Sequence, residues 1–255
     1  MIPRLPFLPE DLRQLLAFVP THGWHAIDWR PLLRELTTIS AQLATQRGVA
    51  DLAEHCSGLT SGVFIDATIE EGDTLDTLSE RERKAAGDAL LRLYFAQWRS
   101  EKGFFLDLRP ARLRWRNGEL VLKPSGLYTQ LDDGFRRGMI DLYRGFYRPD
   151  DALLESAMKD LGFLHSDVGK EERRQLTTLL REHFGSASTR QSFSIETFRA
   201  SFNTLFEFFV DHNYHLAPAF VLVGFYLITL YLSLESLGQE HNVKALCLAE
   251  LDREA

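Results

Sequence analysis

The chain has 255 residues, 45% of them hydrophobic and 25% charged, which excludes disorder as the default and leaves length for one substantial core or two small ones. A formal net charge of -7 excludes a broad basic surface for nucleic acid, because neutralising phosphates needs clustered Lys and Arg. The two cysteines, Cys56 and Cys247, lie far apart without CxxC spacing, which excludes a disulfide framework and a structural zinc site and fits a reducing cytoplasm.

The first thirty residues are broken by prolines and charges, lack the continuous apolar region of a secretion signal, and read as a docking arm carrying Phe7, Phe18, Trp24 and Trp29. From Pro31 to His55 apolar residues recur at helical spacing, predicting one helix. After SGLTSG, the β-branched and aromatic run Val63 to Ile69 predicts a short strand that ends at Glu70-Glu71-Gly72. Ser79 with Glu82 three residues later forms a capping box, opening a helix to Arg99. The Asn117-Gly118 turn predicts a small hairpin of Leu113 to Arg116 and Glu119 to Leu122. Beyond it the pattern is helical to the end, with breaks near Arg148-Pro149-Asp150, Gly162, Gly185-Ser186, Pro218 and Gly238. The stretch from Asn213 to Leu234 carries no Asp, Glu, Lys or Arg, so it is either the central helix of a globule or a membrane-spanning one, and the absence of flanking Lys or Arg favours the first.

The order helix, strand, long helix, loop, hairpin, helices is that of a kinase lower lobe, and the segment from Val63 to Leu164 resembles the central part of the UbiB/AarF family of atypical kinase-like proteins. In that family a hinge strand ends in an acidic residue and Gly, a helix ends in G-F-F, and an H-A-D-P-H-P-G-N loop, a hairpin, a D-F-G element and an F-R-R helix follow. Here Gly103-Phe104-Phe105, the loop Phe105 to Arg112, Pro124-Ser125-Gly126 and Phe135-Arg136-Arg137 occupy those places. The late apolar helix is similar as well. The resemblance implies a mainly α fold, a protein-kinase-like lower lobe with a short hinge strand and small β-hairpin, its upper lobe reduced or absent. Residues 1–62 would be a docking arm and helix left from the upper lobe, and 63–255 the helical lobe.

The resemblance also sets expectations for chemistry. Asp107 falls at the catalytic Asp, Arg109 at the second His, Pro110 at the Pro and Arg112 at the metal-holding Asn, while Pro124 replaces the metal carboxylate of D-F-G. Those roles need oxygen donors, which Arg112 and Pro124 lack. No lysine precedes Lys84, so the strand lysine that grips the triphosphate is missing and Glu35 has nothing to pair with. The expectation is a protein without cofactor or metal, more pseudokinase than enzyme, with Asp107 a structural remnant. It would act as an accessory or scaffold through a protein partner, a second copy, or a lipid or membrane surface, in the cytoplasm or at the inner face of the membrane. The resemblance places such a role in lipid or isoprenoid quinone metabolism.

Two rivals remain open. Arg109, Arg112, Arg114 and Arg116 form a cationic cluster able to hold phosphate, which with Asp107 as base would make a phosphotransferase or ATPase with a rearranged nucleotide site; a solvated strand face is the plainer account. The aromatic residues of the late helices, Phe206, Phe209, Phe220 and Phe225 among them, would form a lipid or partner surface or a lipid carrier's pocket, against an ordinary core. The pairs His22/His25 and His212/His215 have metal-compatible spacing without a Glu or Cys constellation, and surface or core histidines explain them more simply.

Overall fold

The structure, a computed structural model, describes residues 8–164, 168–183 and 190–253. The chain is mainly α. In order it forms α1 (Glu10–Leu16), a short 3-10 turn (His22–Ala26), α2 (Trp29–Thr45), α3 (Val49–Ser57), β1 (Val63–Ile65), α4 (Glu80–Gln97), β2 (Phe104–Phe105), β3 (Leu113–Arg116), β4 (Glu119–Leu122) and β5 (Tyr128–Thr129). Then come α5 (Asp133–Tyr147), α6 (Asp151–Asp160), α7 (Lys170–His183), α8 (Ile195–Asp211), α9 (Pro218–Leu237) and α10 (Val243–Leu251).

The strands make two small sheets. The hairpin β3–β4 turns through Asn117 and Gly118, both at positive φ (54° and 84°), as a two-residue primed turn requires. Strand β1 adds in parallel to β4, with Val63 opposite Leu120. Strand β2, just before Asp107, pairs antiparallel with β5, just after Gly126, so the two ends of the intervening segment are tied together.

Helix α9 is apolar on every side, and the packing explains why: α1, α2, α4 and α8 all touch it. It is long and apolar enough to cross a membrane, yet 83% of its most apolar window is buried inside the protein. Each fully buried Leu, Val or Phe contributes about 1.5–3 kcal/mol, so this helix is the main contributor to the core. Pro218 starts it at a first-turn position and Gly238 ends it in the left-handed conformation.

The N-terminal arm belongs to the same core. Leu12, Leu15, Leu16, Trp24 and Ala26 are buried with the residues of α8 and α9. The Leu216 amide donates to the Ala26 carbonyl at 2.6 Å. The described residues therefore show no bare apolar face for a partner or membrane to cover: Phe64, 48% exposed, is the one large hydrophobic among them that is open to solvent.

Two sequence expectations change and a third holds. The helix from Pro31 to His55 is two helices, because Gln46 and Gly48 take left-handed φ of 54° and 74° and redirect α3 onto β1. The strand from Val63 to Ile69 stops at Ile65, where Asp66 Oδ1 accepts from the Thr68 amide at 2.8 Å and its hydroxyl at 2.7 Å, bending the chain into a turn. The capped helix from Ser79 is found with its reciprocal capping box, and ends at Gln97. The break expected at Gly185-Ser186 lies outside the described residues.

Candidate functional site

The loop between β2 and β3 holds Asp107, and α9 fixes its backbone. Thr229 Oγ1 donates to the Leu106 carbonyl at 2.6 Å and Ser233 Oγ to the Leu108 carbonyl at 2.5 Å. Four residues apart on one helix, these two hydroxyls face the same way and bracket Asp107. Beneath them lies a buried polar set: Gln97 accepts from the Phe105 amide at 2.9 Å and donates to the Tyr226 hydroxyl at 2.6 Å, and the Tyr94 and Tyr143 hydroxyls meet at 2.5 Å.

The Asp107 carboxylate is 1% exposed and fully engaged. Arg109 closes a fork on it, Nε to Oδ1 and Nη2 to Oδ2, each 2.7 Å. Arg112 Nε donates to Oδ2 at 3.1 Å, and the Ser125 hydroxyl approaches the same oxygen at 3.4 Å. Arg109 also reaches Asp11 of α1 at 2.8 Å. Burial is the largest influence on the Asp107 carboxyl and pushes its pKa up, but the hydrogen bonds and charge of Arg109, with the charge of Arg112, outweigh it and hold it below the usual value. The Arg109 guanidinium is raised in return, first by its hydrogen bond to Asp107. A carboxylate so held is a poor base, and its acceptor positions are taken.

The four arginines do not converge. Arg109 and Arg112 meet on Asp107, whereas Arg114 donates to its neighbour's carbonyl, Leu113 O, at 2.8 Å. Arg116 is exposed on the far end of β3, where its charge acts on Asp66. Of the strand face expected for Arg112, Arg114 and Arg116, only Arg114 and Arg116 lie on β3; Arg112 ends the 3-10 turn before it and reaches Asp107 instead.

The magnesium that the resemblance implies does not fit these residues. Arg112 and Pro124, which the resemblance aligns with its metal-holding positions, carry no side-chain oxygen, the Asp107 oxygens are spent on guanidinium groups, and among the described residues no three of His, Cys, Asp and Glu gather in one place. His215 and His25 are exposed, and His212 Nδ1 lies 2.9 Å from the Phe208 carbonyl. Pro124-Ser125-Gly126 packs against the last turn of α2: a Cβ on Gly126 would sit 2.3 Å from the Gln42 carbonyl oxygen.

Beside the loop lies an open cleft of about 650 Å³, lined by α2, α3 and the segment Arg112, Lys123, Pro124 and Ser125. Lys123 was not among the residues singled out from sequence, although the hairpin register carries the signal. Leu113 pairs with Leu122, so the residues just beyond the ladder, Arg112 and Lys123, are held close, and the Lys123 amide donates to the Arg112 carbonyl at 2.7 Å. Asp11 and Ser125 were also missed, because their partners come from distant parts of the chain. So was the buried His241, whose Nδ1 lies 2.7 Å from Asp88, a carboxylate shared with Lys84.

The aromatic surface is corrected. Phe206, Phe209 and Phe225 are wholly buried and Phe220 is 8% exposed, all in the core around α8 and α9. The cavity beside Phe202 and Phe220 has a volume of about 10 Å³, too small for an acyl chain. No protein-family model matches this sequence, and neither does any curated protein.

Proposed function

We propose that this chain is a phosphotransfer-inactive, kinase-like module, similar in layout to the UbiB/AarF family, that works by binding rather than by chemistry. The observation that carries the reading is the state of Asp107. The residue that the resemblance aligns with the catalytic Asp is closed off by Arg109 and Arg112, and their guanidinium groups take the oxygens a metal or a hydroxyl proton would use. The pairing of β2 with β5 across the loop, and the hairpin between them, support the kinase-like layout. An accessory or scaffold role in lipid or isoprenoid quinone metabolism follows from the resemblance, although the buried aromatic residues and the cavity of about 10 Å³ beside them offer no lipid pocket.

The test is phosphate release from magnesium ATP under single-turnover conditions, with protein in excess of nucleotide. The reading predicts the same background release from wild type and Asp107→Asn. Magnesium-dependent release that the substitution abolishes would replace it with the rearranged-site enzyme.

A further inference from the structure

We propose that the cleft between α2, α3 and the Arg112–Lys123 pair binds a small phosphate monoester without a divalent metal. The inference rests on the non-catalytic reading and names the ligand class for the same site.

Charge is the first argument. Three cations, Arg109, Arg112 and Lys123, gather around two carboxylates, Asp11 and Asp107. Arg109 occupies both carboxylates, and Arg112 shares Asp107 through its Nε alone, so its two terminal amines remain for the cleft. Among the described residues no carboxylate lies within ion-pair reach of the Lys123 ammonium. The Lys123 amide donates to the Arg112 carbonyl at 2.7 Å just beyond the hairpin ladder, which keeps the two cations neighbours on the wall of the same cleft.

Shape and donor count narrow the ligand. The cleft has room for a small organic molecule, and Pro9, Leu43, Val49 and Pro124 give it an apolar wall. Helix α3 begins on that wall at Val49 and Ala50 with Gly48 as its N-cap, and because Asp51 stands in its first turn the helix end adds little to the field, which comes from Arg112 and Lys123. The two terminal amines of Arg112 and the ammonium of Lys123 offer more donors than the two oxygens of a carboxylate use well. The three non-bridging oxygens of a phosphate monoester match them, and Arg binds such a group through paired N–H bonds. No magnesium is needed, because the cations that neutralise the phosphate are already in the chain.

The experiment is isothermal titration and thermal melting of the whole chain in EDTA, with inorganic phosphate, AMP, glycerol 3-phosphate and, as the carboxylate arm, glycerate. Wild type, Lys123→Ala, Lys123→Glu and the exposed control Lys102→Ala are compared. Saturable binding of at least one phosphate monoester is expected, unchanged by added magnesium and stronger than that of glycerate. Lys123→Ala should weaken it about tenfold or more, the worth of a charge-assisted hydrogen bond, and Lys123→Glu should remove it. Lys102→Ala should bind as wild type does. Melting of the unliganded variants separates lost binding from lost folding, and Arg112→Lys, which keeps charge while losing the fork, gives a second reading if Lys123 variants melt early. The proposal is overturned by no monoester binding to folded wild type, by equal binding to Lys123→Glu, by preference for glycerate, or by dependence on magnesium. Magnesium ATP hydrolysis would overturn the non-catalytic reading alone, because phosphate release and metal-free monoester binding are read separately.

Discussion

Replacing Asp107 with Asn tests whether this carboxylate holds the loop together or does chemistry, because the two roles predict opposite signs of stability change. The substitution keeps one acceptor oxygen and turns an NH2 toward a guanidinium. It removes one arm of the Arg109 fork and weakens the Arg112 contact, and hydrogen bonds to charged groups are worth about 1.5–3 kcal/mol each. Two features reduce the loss: Arg109 keeps Asp11, and the Arg112 side chain, 30% exposed, is partly taken up by water. A cost of about 2–4 kcal/mol follows, at the lower side of the ~3–5 kcal/mol for breaking a fully buried pair. In a chain of this size that lowers Tm by roughly 6–12 °C. Urea and thermal unfolding followed by circular dichroism measure it. A variant as stable as wild type, or more stable, would refute the reasoning, since removing a strained reactive group commonly stabilises a protein.

The same carboxylate gives a pH signature. Its folded pKa lies below the ordinary Asp value of 3.8, so its stabilisation is complete above about that pH and is lost as pH falls through the folded value. The Tm gap between wild type and Asp107→Asn should therefore be constant at neutral pH and shrink on acidification below about pH 4, as melts across that range will show. Gly126→Ala should cost about 3 kcal/mol or more by urea unfolding, because the new methyl would meet the α2 backbone at Gln42 rather than a flexible side chain. Thr229→Val and Ser233→Ala each leave a buried loop carbonyl without its donor and should each cost about 1–3 kcal/mol in the same assay. Burial pushes the Cys56 thiol up to about 12, so it should stay unreactive toward a thiol reagent such as DTNB at pH 8 and react only as the chain unfolds.

What the sequence makes legible is what local pattern controls. The Ser79–Glu82 capping box, the Asn117-Gly118 hairpin and the Pro218 and Gly238 ends of α9 are set by neighbours within a few residues, and they appear where the pattern puts them. The split between α2 and α3 was hidden because Gln46-Arg47-Gly48 interrupts a continuous apolar spacing, and only packing on β1 and Tyr128, whose hydroxyl donates to the Arg47 carbonyl at 2.9 Å, makes the chain turn there. The site was half legible. Asp107, Arg109 and Arg112 are close in sequence, and they do meet. That Asp11 anchors Arg109, and that Lys123 stands over a cleft walled by α2 and α3, depends on how distant segments pack. The Phe-rich helices misled because aromatic density looks the same in a core and in a binding surface, and only burial separates them.

The most direct test of the central claim is to ask whether Asp107 can touch a metal at all. Manganese is titrated into the protein with ATP and followed by electron paramagnetic resonance, for wild type and Asp107→Asn. With its oxygens held by Arg109 and Arg112, Asp107 should leave the two spectra alike, with no manganese environment that depends on that carboxylate. A stoichiometric protein-bound manganese signal in wild type that vanishes in Asp107→Asn would contradict the account.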